Sequence, residues 1–415
     1  MTTTPGRTFG DAELRAVQHM LRETTERLAC ELVAPGPEAP DWSPSLWAVA
    51  RAAAVMHGIS ALLMERLRWQ GPGDWAAFLA AQRAQIVARH ARIEAQLAAL
   101  AEGARERGVS LVALKGAALH ARGIYRVGER PMADIDLLVS PQEEARAAQL
   151  IEALGYREAC ATWKHREFHP LQEGPPAASF GESAGNPLRI ELHAGIRELL
   201  PLRAVDISPL LEPAPARPGL NDYPSTGALL AHLLLHAAGC MINRTLRFLH
   251  LHDIARVATR MAPADWDELF RRAQRTADPS LWWVFPPLAL AHHYHGGVPE
   301  EVLARAAAGC SPILRRLSAR RVLSDVSLSY LWVSAFPGIE WSRSLREGAA
   351  YARARLLPSA ETRSLRRSYA AAQPLVSGGD WAGTSQPRRI VRYLFGRPAR
   401  QETVQPVLRA LERWS

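Results

Sequence analysis

Asp134 and Asp136 stand two residues apart inside an apolar run, Ile135, Leu137, Leu138 and Val139, in the stretch RPMADIDLLVSPQEE. Residues two apart on a strand project from one face, so the carboxylates point together while Ile135, Leu137 and Val139 serve the packing. Adjacent carboxylates repel, and burying them unpaired is costly. A divalent cation relieves that cost: magnesium takes one or two protein carboxylates and fills its octahedron with water and phosphate oxygens. A neighbouring strand often adds a third carboxylate, and Glu191 in PLRIELHAGI is the best placed, with His193 two residues later on the same face. The plain alternative is a solvated strand edge, since D-x-D is a common tripeptide.

Lys115 carries a separate signal. Among the 50 Lys plus Arg residues the lysines are Lys115 and Lys164, which leaves 48 arginines and marks a composition bias. A lysine kept directly before Gly116 in such a chain suits a phosphate oxygen at a tight turn, where a compact ammonium fits better than a guanidinium. Lys164 lacks a motif and reads as a solvated strand residue. Arg130 either contacts a phosphate, pairs with Glu129 or caps its strand. Tyr125 reads as packing. His193 either orients a carboxylate or acceptor hydroxyl, or is a satisfied structural histidine. His236, Arg247, His250 and Asp253 recur near helical spacing. They either face a cleft, where they would recognise a base or an acceptor, or lock two helices together. Histidines 232, 236, 250 and 252, and HHYH at 292–295, lack the Cys or carboxylate that would complete a zinc set.

The elements that must hold these residues follow from apolar periodicity. Three- and four-residue spacing predicts helices over 12–33, 44–69 and 75–107. The run 109–114 after Gly108 predicts a strand, then a turn at Lys115-Gly116 and a short helix. Residues 134–139 form a second strand, and 141–154 a helix with Ser140 as N-cap, Pro141 at the first helical position and Gly155 as its stop. Further strands fall at 156–171 and 187–196, on either side of the loop EGPPAASFGESAGNP. After the linker LEPAPARPGLNDYPS the pattern is helical from Thr226, and QPLVSGGDWAGTSQP at 373–387 sets off a basic tail. The expected organisation is a helical region at 1–107, a mixed core at 108–212, a helical domain at 213–372, and a linker and tail at 373–415.

Composition narrows the partners. A net charge of +9 without a dense basic block is weak evidence for nucleic acid, and the arginines of SLRRSYA and QPRRIVRYLFGRPAR have few aromatics among them. Cys30, Cys160, Cys240 and Cys310 are far apart, with no tight Cys/His cluster, which argues against a zinc site or a disulfide framework and fits a reducing cytoplasm. No signal pattern opens the chain, and LWWVFPPLALAHHY is too short and proline-broken to span a bilayer, so no membrane partner is expected.

LVALKGAALHARGIY, ERPMADIDLLV and IELHAGI, in that order, resemble the nucleotidyltransferase superfamily of the DNA polymerase beta type. More narrowly, the chain resembles a bacterial nucleotidyltransferase-like family with the pattern L-K-G, Tyr, Arg, D-h-D-h-L-V and h-D/E-h-H. LLLHAAGC and RFLHLHDIARV match that family's helical half, so the resemblance runs over roughly residues 105–260. It implies an α+β fold with a small mixed sheet, flanked by a helical N-terminal region and a mostly helical C-terminal half. By the same resemblance Asp134 and Asp136 are Mg²⁺ ligands, and Glu191 is the carboxylate that binds metal or activates the acceptor. Lys115 and Gly116 form the turn near the triphosphate, and Arg130 sits beside the phosphates. The implied activity moves an NMP from an NTP to a hydroxyl of a peptide, sugar or small metabolite, as in natural-product modification, and releases pyrophosphate. The superfamily's Gly-Ser turn reads Gly116-Ala117 here. That keeps two alternatives open: another group transfer from a nucleotide donor, or a nucleotide- or peptide-binding module on a repurposed scaffold.

Overall fold

Helices come first in the chain: α1 (Asp11–Val33), α2 (Pro44–Met56), α3 (Ser60–Arg66) and α4 (Gly73–Glu106). The computed structural model describes residues 9–172, 180–211, 216–273, 281–359, 385–395 and 398–414. The helix expected over 44–69 is two helices, because the chain turns at Gly58, whose φ of 68° a side chain would strain.

The fold is α+β. Its main sheet runs in the order β3-β4-β5-β2-β1-β8. The strands are β1 (Ser110–Ala113), β2 (Asp134–Val139), β3 (Tyr156–Ala161), β4 (Arg166–Pro170), β5 (Arg189–His193) and β8 (Gly219–Asn221). Strands β6 (Arg197–Leu200) and β7 (Arg203–Asp206) form a separate ribbon. Helix α5 (Lys115–Ala121) follows β1, α6 (Glu144–Ala153) follows β2, and α7 (Ser208–Leu211) follows β7. Central β2 pairs antiparallel with β1 and parallel with β5.

Three local expectations change. Residues 156–171 are a hairpin, turned where the Thr162 N–H donates to the His165 carbonyl at 2.9 Å. Helix α6 starts at Glu144, because Ser140 Oγ bonds Glu143 Oε2 at 3.1 Å instead of capping a helix at Pro141. Strand β8 lies in the stretch read as a linker and pairs parallel with β1, Leu111 opposite Leu220. The loop tip at 173–179, residues 212–215, SLRRSYA and most of the 373–387 linker lie outside the described residues.

Alternation on the strands divides the interior into two cores. Ile135, Leu137 and Val139 of β2 join Ile190 and Leu192 of β5, Phe168 of β4, Ile93 and Leu100 of α4, and Leu150 and Ile151 of α6. On the opposite face Val112 and Leu138 join the apolar sides of α8 (Thr226–Asn243) and α9 (Phe248–Ala258). Helix α8 is long and apolar enough to cross a bilayer, yet 78% of that stretch is buried inside the fold. The polar residues of β2 and β5 therefore face α8 and α9.

Two buried arginines fix this arrangement. Arg89 of α4 donates to the carbonyls of Met132 (2.7 Å), Asn186 (2.7 Å) and Pro187 (3.2 Å), which lead into β2 and β5. Arg130 forks onto Asp253 of α9, with Nε at 2.9 Å and Nη2 at 2.7 Å, so its partner is not Glu129. Tyr125 is more than packing, since its hydroxyl donates to the same carboxylate at 2.8 Å. Arg130 is 8% exposed and Asp253 is 1% exposed. Removing one partner strands the other charge in the interior. Asp253→Ala should therefore cost about 3–5 kcal/mol in denaturant unfolding, and Arg130→Met with Asp253→Leu should recover most of it. A loss under about 1 kcal/mol for Asp253→Ala would show that water reaches the pair.

Candidate active site

Parallel pairing of β2 with β5 sets Asp136 opposite Glu191, Asp134 opposite Arg189 and Leu138 opposite His193. Side chains paired across neighbouring strands share a face, so Asp134, Asp136, Glu191 and His193 form one polar row beneath α8 and α9. Lys115 reaches this row from the end of β1, with Nζ 2.8 Å from Asp136 Oδ1. His193 Nε2 lies 3.2 Å from the same oxygen and 3.6 Å from Glu191 Oε2.

The Lys115-Gly116 turn opens α5. Lys115 itself takes the left-handed backbone, at φ 45°, a conformation that costs a side-chain-bearing residue. The Tyr223 hydroxyl accepts from the Lys115 N–H at 3.2 Å and shares a hydrogen bond with His232 Nδ1 at 2.6 Å, which holds the strained turn. Gly116 is needed for close approach: a Cβ there would lie 2.5 Å from Arg130 Nη1 and 2.8 Å from Met132 Cγ. Arg130 thus supports from below the turn that carries Lys115.

The carboxylates outnumber the cation among them, and their ionisation shows it. Burial, Asp136 and Glu191 push the Asp134 carboxyl up to about 7. Burial would also raise Asp136, but the Lys115 ammonium and the His193 hydrogen bond outweigh it and hold Asp136 well below the usual carboxylate range. Burial opposes the charge on Lys115 and His193, yet the surrounding carboxylates raise both. An added cation would let Asp134 ionise at neutral pH, and the hard oxygen donors of Asp134, Asp136 and Glu191 suit a magnesium-like ion.

Other predicted residues fall around this row. Arg247, half-buried at the N-cap of α9, is close enough to favour the ionised form of Asp134. His236 faces the site from α8, while Asp253 is occupied by Arg130 and Tyr125. Lys164 is paired with Glu198 of β6 at 2.5 Å and is not a free surface lysine.

His165, Glu167 and Tyr223 carried no signal in the sequence. His165 sits at the β3–β4 turn with Nδ1 3.5 Å from Glu191 Oε2, and its buried Nε2 has no hydrogen-bond partner among the described residues. His165, Glu191 and His193 offer donor atoms within 4.8 Å of one another, a second group able to hold a divalent ion beside the aspartates. Glu167 extends the carboxylate row onto β4, opposite Glu191, but His169 (2.8 Å) and Arg189 (3.2 Å) neutralise it.

Acids, a lysine and an arginine gathered where two parallel strands open beneath helices suit a transferase acting on an anionic substrate. The chain belongs to a family described as uncharacterised nucleotidyltransferases, whose model matches residues 43–279, more than half of the chain. No curated protein and no solved structure matches it. Nucleotidyl transfer is the family's chemistry, and an NTP is the substrate that chemistry implies. The match begins at α2, well before the motifs that carry the resemblance, so α2 to α4 belong to the family's unit. The Arg89 clamp is a physical reason for that extent.

Burial and the neighbouring carboxylates raise the Asp134 carboxyl to about 7 in the folded chain, against about 3.9 in an unfolded one, so between these values folding favours the protonated form. That contribution to stability is present at low pH and declines as pH rises through this window. Asp134→Asn should therefore melt above the metal-free wild type beyond pH 7, and the gap should close towards pH 4. A variant that melts lower at both ends of the titration would show that the carboxylate is stabilising.

Proposed function

We propose that the protein is a Mg²⁺-dependent nucleotidyltransferase of the DNA polymerase beta type, which moves an NMP from an NTP to a hydroxyl of a peptide, sugar or small metabolite. The observation that carries this reading is the register of β2 and β5, which sets Asp136 beside Glu191 with the Lys115 ammonium 2.8 Å from Asp136. Asp134 and Asp136, with Glu191, would hold the ion, which supplies charge neutralisation on the phosphates and alignment for in-line displacement.

The chain's own groups account for the remaining work. Lys115 faces the phosphates and offsets charge on the departing pyrophosphate. Arg247 adds a second cation on the α9 side. The acceptor oxygen forms its bond to the α-phosphorus while the bond to the pyrophosphate oxygen breaks, and the hydroxyl proton passes to Glu191. His193 orients Glu191 and Asp136. Arg130 is a positioning residue, acting through Gly116 and the turn.

Incubation of the full chain with each α-labelled NTP, Mg²⁺ and a pool of hydroxyl acceptors tests this. Pyrophosphate release should equal label transferred, Asp134→Ala with Asp136→Ala should abolish both, and Lys115→Met should lower kcat/KM by about 10²–10³-fold. Conversion of the NTP to labelled NDP, with neither pyrophosphate nor label on the acceptor, would point to another group transfer from the nucleotide donor. NTP binding indifferent to Mg²⁺ and to both aspartates would sink the reading.

A further inference from the structure

Facing the carboxylate row, α8 and α9 carry a different set of donors. His236 and Cys240 lie one turn apart on α8, and His250 lies in the first turn of α9. Their donor atoms lie within 4.8 Å of one another, and all three side chains are half-buried. The His236 and His250 rings meet edge to face at 4.9 Å. Far apart in sequence from the other cysteines, Cys240 gave no sign of a Cys/His cluster, and that expectation is corrected here: the H-x-x-x-C spacing on a helix, closed by a histidine from the next helix, makes one.

We propose that His236, Cys240 and His250 form a binding site for a borderline-soft d-block dication, Zn²⁺ being the natural occupant, separate from the hard-oxygen site on β2 and β5. His236 Nε2 and Cys240 Sγ are 3.6 Å apart. Two ligands of one tetrahedral zinc, at about 2.3 Å for sulfur and about 2.0–2.1 Å for nitrogen, lie about 3.6 Å apart, so the α8 pair is already at ligand spacing. Thiolate and imidazole exclude Mg²⁺ and select zinc-like ions. The half-exposed rim leaves the fourth position to water or substrate, as in open zinc sites.

The surroundings agree. The Cys240 thiol is free. Burial keeps both imidazoles neutral and pushes the thiol up to about 11, with Glu198 adding to the rise. Glu198 lies against Gly239, where a Cβ would come within 2.7 Å of its Oε2, and its ion pair with Lys164 closes the site's edge. Binding replaces the thiol proton with the ion and releases that proton to water, so affinity rises with pH. His250 Nδ1 accepts from the Arg247 N–H over a long 3.3 Å. Either ring nitrogen can serve the ion only if that contact gives way, which ties occupancy to the N-cap of α9 and so to Arg247. This site does not depend on the transferase reading.

The test uses the full chain, stripped by a chelator and titrated with Co²⁺ without nucleotide. One equivalent should bind with a thiolate-to-cobalt charge-transfer band and the intense visible bands of a four-coordinate ion, and Zn²⁺ should displace it. Cys240→Ser should abolish the charge-transfer band, His236→Gln and His250→Gln should each weaken binding at least tenfold, and Asp134→Asn with Asp136→Asn should leave the band intact. The wild-type band is decisive even if a variant folds poorly. Its absence at saturating Co²⁺, or its survival in Cys240→Ser, overturns the site. Cobalt bound without the band and lost in His165→Ala would place the ion at the strand cluster and also overturn it.

Discussion

Three carboxylates on adjacent strands repel one another, and most of this architecture answers that repulsion. Asp134, Asp136 and Glu191 share one face of β2 and β5, with a single lysine ammonium bonded among them. The charge is only partly offset, and burial with the Asp136 and Glu191 carboxylates raises the Asp134 carboxyl accordingly. A fold organised for stability alone would not place these groups together; a site that accepts a cation and an anionic phosphate chain needs such an imbalance.

Holding the row in place falls to two buried guanidiniums, Arg89 and Arg130. Arg89 spends its guanidinium on carbonyls leading into β2 and β5, which ties their starting points to one atom group and leaves Asp136 and Glu191 no freedom to slip in register. Arg130 joins the turn below Lys115 to Asp253 of α9. The N-terminal and C-terminal helices are thereby mechanical parts of the site, although the motifs lie between them.

The two-residue period made the carboxylate face and its apolar reverse readable, because Ile135, Leu137 and Val139 fall into the core behind the sheet as alternation requires. Helix spacing located α1, α4 and α8 to within a few residues. The pairing of β8 with β1 was hidden in a proline-rich stretch, since three residues carry too little pattern to register as a strand. His165 and Tyr223 were equally hidden: each acts through a contact with a residue distant in sequence, His165 on Glu191 and Tyr223 on Lys115. Arg130 was read as a phosphate contact or a partner of Glu129, and no local pattern could reveal an ion pair to Asp253.

Lys115 shows how a composition signal and a conformation can have one cause. Its φ of 45° is a strained choice for any residue with a Cβ, and glycine next door does not relieve it, because Gly116 is occupied by the approach of Arg130. The strain turns the side chain back along the end of β1 towards Asp136, with Tyr223 holding the amide. In that short reach a flexible stem ending in a point charge can touch one carboxylate oxygen and still leave Glu191 and Asp134 open. A guanidinium would fork onto two acceptors and fill the space between them. In a chain that uses arginine nearly everywhere, the geometry of this corner is the reason for the lysine.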